Sequence, residues 1–182
     1  MKRITIAVLA IVFTVGFSGT LNAKKMNILN FDKGGMPSSK NNVEVSLAEN
    51  KAPKGQIYLK MVPIVPGELF WCGEYQPKKA VWDGFDVLKF DYFNEDKNPV
   101  NLQIVIKPKG RETYQARFDS NIVARPGKGS VEIELIGSCG NDGNIVDWKT
   151  PVAQWNISGK LNAPLHIGNV TVETLEDEKD KK

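Results

Sequence analysis

Residues 88–107 read Leu88-Lys89-Phe90-Asp91-Tyr92-Phe93-Asn94-Glu95-Asp96-Lys97-Asn98-Pro99-Val100-Asn101-Leu102-Gln103-Ile104-Val105-Ile106-Lys107. Leu88, Phe90 and Tyr92 alternate with Lys89, Asp91 and Phe93, and Leu102, Ile104 and Ile106 are interleaved with Gln103, Val105 and Lys107. A period of two puts each apolar set on one side of an extended chain. The polar stretch Asn94–Pro99 between the runs has the composition of a turn and reads as a hairpin-like loop.

The same pattern recurs on either side. Val43, Val45 and Leu47 alternate with Glu44, Ser46 and Ala48, and Ile57, Leu59 and Met61 with Tyr58, Lys60 and Val62. Tyr114, Ala116 and Phe118 face away from Gln115 and Arg117, and Val131, Ile133 and Leu135 from Glu132 and Glu134. Arg125–Gly129 reads as another hairpin-like loop, and Val152–Ile157 as a further strand. In Leu165–Val172, Leu165 and Ile167 share one phase while Val170 and Val172 share the other, which predicts a β-bulge at Gly168-Asn169. Asn27–Phe31 adds a short first strand, and helix is limited to a turn near Asp147. About eight or nine antiparallel strands with so little helix predict an all-β, jelly-roll β-sandwich. The longest irregular stretch is Pro63–Val81, and long loops in sandwiches are often functional.

The N-terminus sets the compartment. Lys2 and Arg3 precede the apolar run Ile4–Phe17, and Leu21-Asn22-Ala23 ends on a small residue, so residues 1–23 read as a cleavable signal peptide. The run is shorter than the ~20 residues a spanning helix needs. The expectation is therefore an extracytoplasmic protein, periplasmic or secreted, with no membrane insertion after cleavage. Residues 24–172 form one domain, and 173–182 read as a charged, disordered tail. Taking Lys2 and Arg3 from the 24 basic residues leaves a balance of about +1 against 21 acids, so nothing in the charge favours nucleic acid. Cys72 and Cys139 are the only cysteines; in an oxidising compartment they are expected to form a disulfide.

Chemistry by side chain is sparse. His166 is the single histidine, so neither a catalytic triad nor a two-imidazole metal site has a second member. Glu132 and Glu134 share one face of one strand, as paired glycosidase carboxylates might, but acid pairs on exposed strand faces are common. No catalytic residue, metal or cofactor is assigned.

Several segments resemble the galactose-binding-like jelly rolls. Val45-Ser46-Leu47-Ala48-Glu49-Asn50 with Gly55-Gln56-Ile57-Tyr58-Leu59-Lys60 resembles their paired opening strands. Trp82–Asp91 resembles their element of tryptophan, glycine, aromatic and Leu-x-Phe strand, and Leu165–Val170 their closing strand. The resemblance implies non-catalytic carbohydrate binding, with a glycan or polysaccharide as partner. A docking module for an exported protein or cell-envelope assembly is the alternative. It also implies a structural calcium held by an acid before the Asn-Val pair and an acid of the first strand; here Gly168 stands at the first place and Asp32 at the second.

Sugars stack on aromatic rings and bond to a few polar groups. Trp71, Tyr75 and Trp148 lie outside the alternating runs, near the cysteines, and either form a stacking platform or cap the sandwich edge. Trp82, Phe85 and Trp155 read as structural. Gln115 and Arg117, with Gln103 and Lys107, lie on a non-core strand face that either lines a groove or is merely solvated.

Overall fold

The computed structural model describes residues 24–49 and 51–175; the proposed signal peptide at residues 1–23 lies outside them. The strands, in chain order, are β1 (Lys25–Leu29), β2 (Ser39–Asn41), β3 (Val43–Ala48), β4 (Tyr58–Pro63), β5 (Leu69–Tyr75), β6 (Val87–Asn94), β7 (Val100–Pro108), β8 (Phe118–Ala124), β9 (Gly127–Glu134), β10 (Val152–Lys160), β11 (Leu165–Ile167) and β12 (Val170–Glu173). One 3-10 turn at Phe31–Lys33 is the sole helix among the described residues, and the turn expected near Asp147 is a hydrogen-bonded turn closed by Thr150 N–H on the Asp147 carbonyl at 3.0 Å. No helix there is long and apolar enough to cross a membrane.

Two antiparallel sheets face each other. The seven-stranded sheet runs β1-β12-β6-β11-β4-β3, with β9 on the other side of β6; the five-stranded sheet runs β2-β5-β10-β7-β8. Their inner faces supply one core: Leu59, Met61, Leu88, Phe90, Leu165 and Ile167 from the first, and Phe70, Leu102, Ile104, Ile106, Trp155 and Ile157 from the second, all buried. The all-β sandwich of the sequence reading is thus the observed fold, with twelve strands rather than eight or nine.

The bulge at Gly168-Asn169 has an architectural role. β11 pairs with Tyr92–Asn94 and β12 with Val87–Lys89, so one closing segment runs the length of β6 in two halves. Gly168 N–H still bonds to the Asp91 carbonyl at 2.7 Å, so the ladder is bent rather than broken. β11 then accepts β4 on its far side, while β12 accepts β1.

Four expectations need correction. Asn94–Pro99 and the Arg125 turn are not hairpins: each carries the chain from one sheet to the other. Buried Asn94 fixes the first crossing, donating to the Ala124 and Asn98 carbonyls at 3.0 and 3.1 Å and accepting from Asp96 N–H at 2.9 Å. The strand expected at Tyr114–Phe118 begins only at Phe118, and Tyr114 is exposed. The supposed loop Pro63–Val81 contains β5. Residues 173–175, read as part of the tail, belong to the fold: Glu173 completes β12 and pairs with Lys25 at 2.6 Å, and Leu175 N–H bonds to Asp86 at 2.7 Å, while residues 176–182 lie outside the described residues.

Candidate functional site

Strand β5 alternates Leu69, Trp71, Gly73 and Tyr75 on the open side of the five-stranded sheet against buried Phe70 and Cys72. Its register with β10 sets Trp71 opposite Ser158, Gly73 opposite Asn156 and Tyr75 opposite Gln154. β10 in turn places Ser158 beside Gln103, Asn156 beside Val105 and Gln154 beside Lys107 of β7. Beyond β7, Asp119 and Asn121 of β8 complete the rows. Gly73 permits this close fit, since a Cβ there would collide with the Trp155 carbonyl and Asn156 Cα.

The result is an open trough of about 370 Å³ lined by Trp71, Gln103, Val105, Lys107, Arg117, Gln154, Asn156 and Ser158, with Leu69 at one end. Trp71 is half-buried, leaving part of its ring facing the trough. Around it stand amides and a hydroxyl, groups that both donate and accept hydrogen bonds.

The polar walls are held in place. Arg117 grips Asp119 with two bonds, Nε to Oδ1 at 2.8 Å and Nη2 to Oδ2 at 3.0 Å. Asp119 Oδ2 also accepts from Gln103 at 3.3 Å and from Asn141 at 3.0 Å. Its side chain is 8% exposed, so the carboxylate sits on the same face as Val105 but covered, as an anchor at the edge of the trough. The Arg117 guanidinium packs 4.8 Å from the Tyr114 ring, and Lys107 Nζ donates to Gln154 Oε1 at 3.1 Å. Such planar, bidentate contacts fix a guanidinium better than a point charge would be fixed.

The candidate residues divide sharply. Trp71 and Arg117 meet in the trough. Tyr75, 61% exposed, lies on the same strand face beyond it and borders a second depression with Lys109, Glu112 and Pro151. Gln115 is exposed in the turn before β8 and does not line the trough.

Trp148 is in the core, contrary to its reading as a stacking candidate: it is 8% exposed, stacks on Trp82 at 5.8 Å, meets Phe118 edge-on at 5.9 Å and donates Nε1–H to the Leu135 carbonyl at 2.7 Å. Trp82, Phe85 and Trp155 are buried, as expected of structural residues. Gln154, Asn156, Ser158 and Asp119 were missed, although the inward phase of Trp155 already implied outward Gln154 and Asn156.

The Cys72–Cys139 disulfide is not formed; both cysteines are free. Cys72 points into the core from the middle of β5, where burial pushes its thiol up to about 12, whereas Cys139 is exposed on the β9–β10 connection. A side chain committed to the interior of a sheet cannot also reach an exposed loop residue without moving the strand.

The place where the resemblance implies calcium does not fit a cation. Asp32 accepts from Ile57 N–H at 2.7 Å through Oδ1 and from the Asn169 amide at 2.6 Å through Oδ2. The Asn169 oxygen is spent on Phe31 N–H at 2.7 Å. His166, fully buried, meets Glu95 at 2.7 Å through Nε2, and desolvation holds its pKa below the ordinary histidine value despite that partner. Glu132 pairs with Lys89 at 2.9 Å on the outer face of the other sheet.

No family model and no curated protein matches this chain. Solved structures do. An exo-β-agarase matches with a TM-score of 0.65 at 13% identity, over 84% of this chain and 26% of its own. The family 11 carbohydrate-binding module from Clostridium thermocellum, in complex with a β-1,3-1,4-mixed-linked tetrasaccharide, matches with a TM-score of 0.51 at 12% identity, over 88% of this chain and 94% of its own. The family 30 carbohydrate-binding module of a cellulosomal cellulase from the same organism matches with a TM-score of 0.53 at 10% identity, over 85% and 99%. The chain spans about a quarter of the length of the agarase structures. The fold is thus the jelly-roll-like β-sandwich of carbohydrate-binding modules.

Proposed function

We propose that this is an exported protein that binds polysaccharide through the open face of its five-stranded sheet, without catalysis. The observation that carries this reading is the partly buried Trp71 ring set among Gln103, Gln154, Asn156 and Ser158 in an open trough. Stacking gives an apolar sugar face a partner, and fixed amides bond to hydroxyls at low ordering cost. Tyr75, four residues along β5 and so about 13 Å away, offers a second ring on the same face for a longer chain. The likeness to modules crystallised as carbohydrate binders supports the same reading.

The test is retention of the full chain in native gels cast with soluble polysaccharides. Wild type should be slowed by at least one of a broad panel, and Trp71→Ala should migrate as it does in an empty gel while melting normally. Equal retention of the two would remove Trp71, and with it the trough, from the account.

One observation favours a second reading, a docking surface for another exported or envelope protein. Leu69 and Val123, 57% and 55% exposed, border a more apolar depression beside the trough. Exposed apolar patches of this kind also mark protein interfaces.

A further inference from the structure

The charges of the trough are one-sided. Lys107 and Arg117 both line it, and no carboxylate does. They stand on adjacent chain segments, one step past the final β7–β8 register pair, Ile106 and Phe118, with Lys107 turned to Gln154 and Arg117 to Asp119. Like charges placed side by side on adjacent strands destabilise a sheet unless something compensates them. Asp119, covered at the edge of the same face, compensates Arg117. Lys107 finds only the neutral Gln154 oxygen. Among the described residues Arg117 Nη1 has no acceptor, and Lys107 donates one bond of the three it can make. These donors lie at the trough end away from Leu69, since Lys107 is in the Gln154–Tyr75 row and Leu69 three rows further back.

Resting on the polysaccharide-binding reading, we infer that the preferred ligand is an acidic polysaccharide whose carboxylate or sulfate group sits between Lys107 and Arg117 while a neighbouring sugar stacks on Trp71. An anion there answers two positive charges of the same face and takes up donors that otherwise go to water. The Arg117–Asp119 pair matters because it holds the guanidinium in position before the ligand arrives, leaving little side-chain entropy to lose.

The experiment measures binding of the full chain to matched polymers at low salt: a sulfated galactan against its unsulfated counterpart, and a polyuronate against a neutral mixed-linkage β-glucan. At least one acidic polymer should bind tenfold or more tightly than its neutral match, and the gap should narrow in 0.5 M salt as the charges are screened. The two pairs separate sulfate from carboxylate as the group recognised. Lys107→Gln should close most of the gap, whereas Lys89→Gln, on the opposite sheet, should leave it intact; both variants should melt as wild type. Neutral polymers bound as well as acidic ones would overturn the inference while leaving the polysaccharide reading standing. An acidic preference untouched by Lys107→Gln would overturn the assignment to this trough. Retention of no polymer at all would overturn both readings.

Discussion

On the outer face of the seven-stranded sheet, Lys25 reaches Glu173 at 2.6 Å and Lys89 reaches Glu132 at 2.9 Å. On the open face of the five-stranded sheet, Lys107 reaches only an amide oxygen, and the Asp119 carboxylate at the trough's edge is covered and held by Arg117. Both faces have polar side chains on the outward phase of their strands, so polarity alone does not distinguish them. They differ in whether the groups satisfy one another. On the first surface the charges within these two pairs neutralise each other, beside a depression of about 360 Å³ that Asn27, Tyr58, Asp91 and Thr171 also line and that presents no tryptophan. The second combines a partly buried indole with amides and two cationic side chains on one open face, an apolar wall with a few polar groups of the kind ligands use.

The largest effect that sharpens this contrast comes from the two tryptophans once grouped together. Trp148→Ala removes a ring packed between Trp82 and Phe118 and should cost roughly 3–5 kcal/mol, about 6–20 °C in melting temperature for a chain of this size. Trp71→Ala, which removes a ring only partly buried at the trough, should cost clearly less than Trp148→Ala. Calorimetry of both variants checks this, and similar losses at the two positions would erase the distinction between core and ring platform.

A second effect separates the cysteines. With its thiol held up at about 12, Cys72 carries on the order of one thiolate in ten thousand molecules at pH 8. Alkylation of the native protein should therefore label Cys139 quickly and Cys72 only after denaturation. Finding no reactive thiol in the denatured, unreduced protein would restore the disulfide and contradict the geometry of β5.

The smallest effect is expected on the self-paired face. Glu132, in an exposed pair with Lys89, should tolerate Glu132→Gln with less than about 1 kcal/mol lost and no change in polysaccharide retention. A loss of retention would move the binding surface to the wrong sheet.

Much of this contrast was legible in the residues, and the part that was not has a physical reason. Strands with one wet face announced themselves by alternation, as in β6, β7 and β9, and the phase flip at Gly168 located the bulge. β5 did not, because Leu69 and Trp71 make its open face nearly as apolar as Phe70 and Cys72 make its inner one. The strand that carries the trough's ring was hidden by the very feature that suits it to a ligand. Trp148 misled for the opposite reason: a residue outside regular strands need not be exposed, and this one closes the end of the core. Gln103, Lys107 and Arg117 could be placed on an outward face, but the role of Asp119 in orienting two of them depends on a β7–β8 register that alternation does not specify.

The most direct test is nuclear magnetic resonance of the labelled protein titrated with an oligosaccharide of a polymer it retains. Shift changes should centre on the amides of Trp71, Gln103, Lys107 and Asn156 and on the Trp71 indole N–H, with the Trp148 indole and the Lys89–Glu132 face unmoved. Changes centred on Lys89 and Glu132, or spread around Trp148 with Trp71 silent, would contradict the claim that the five-stranded sheet is the ligand face.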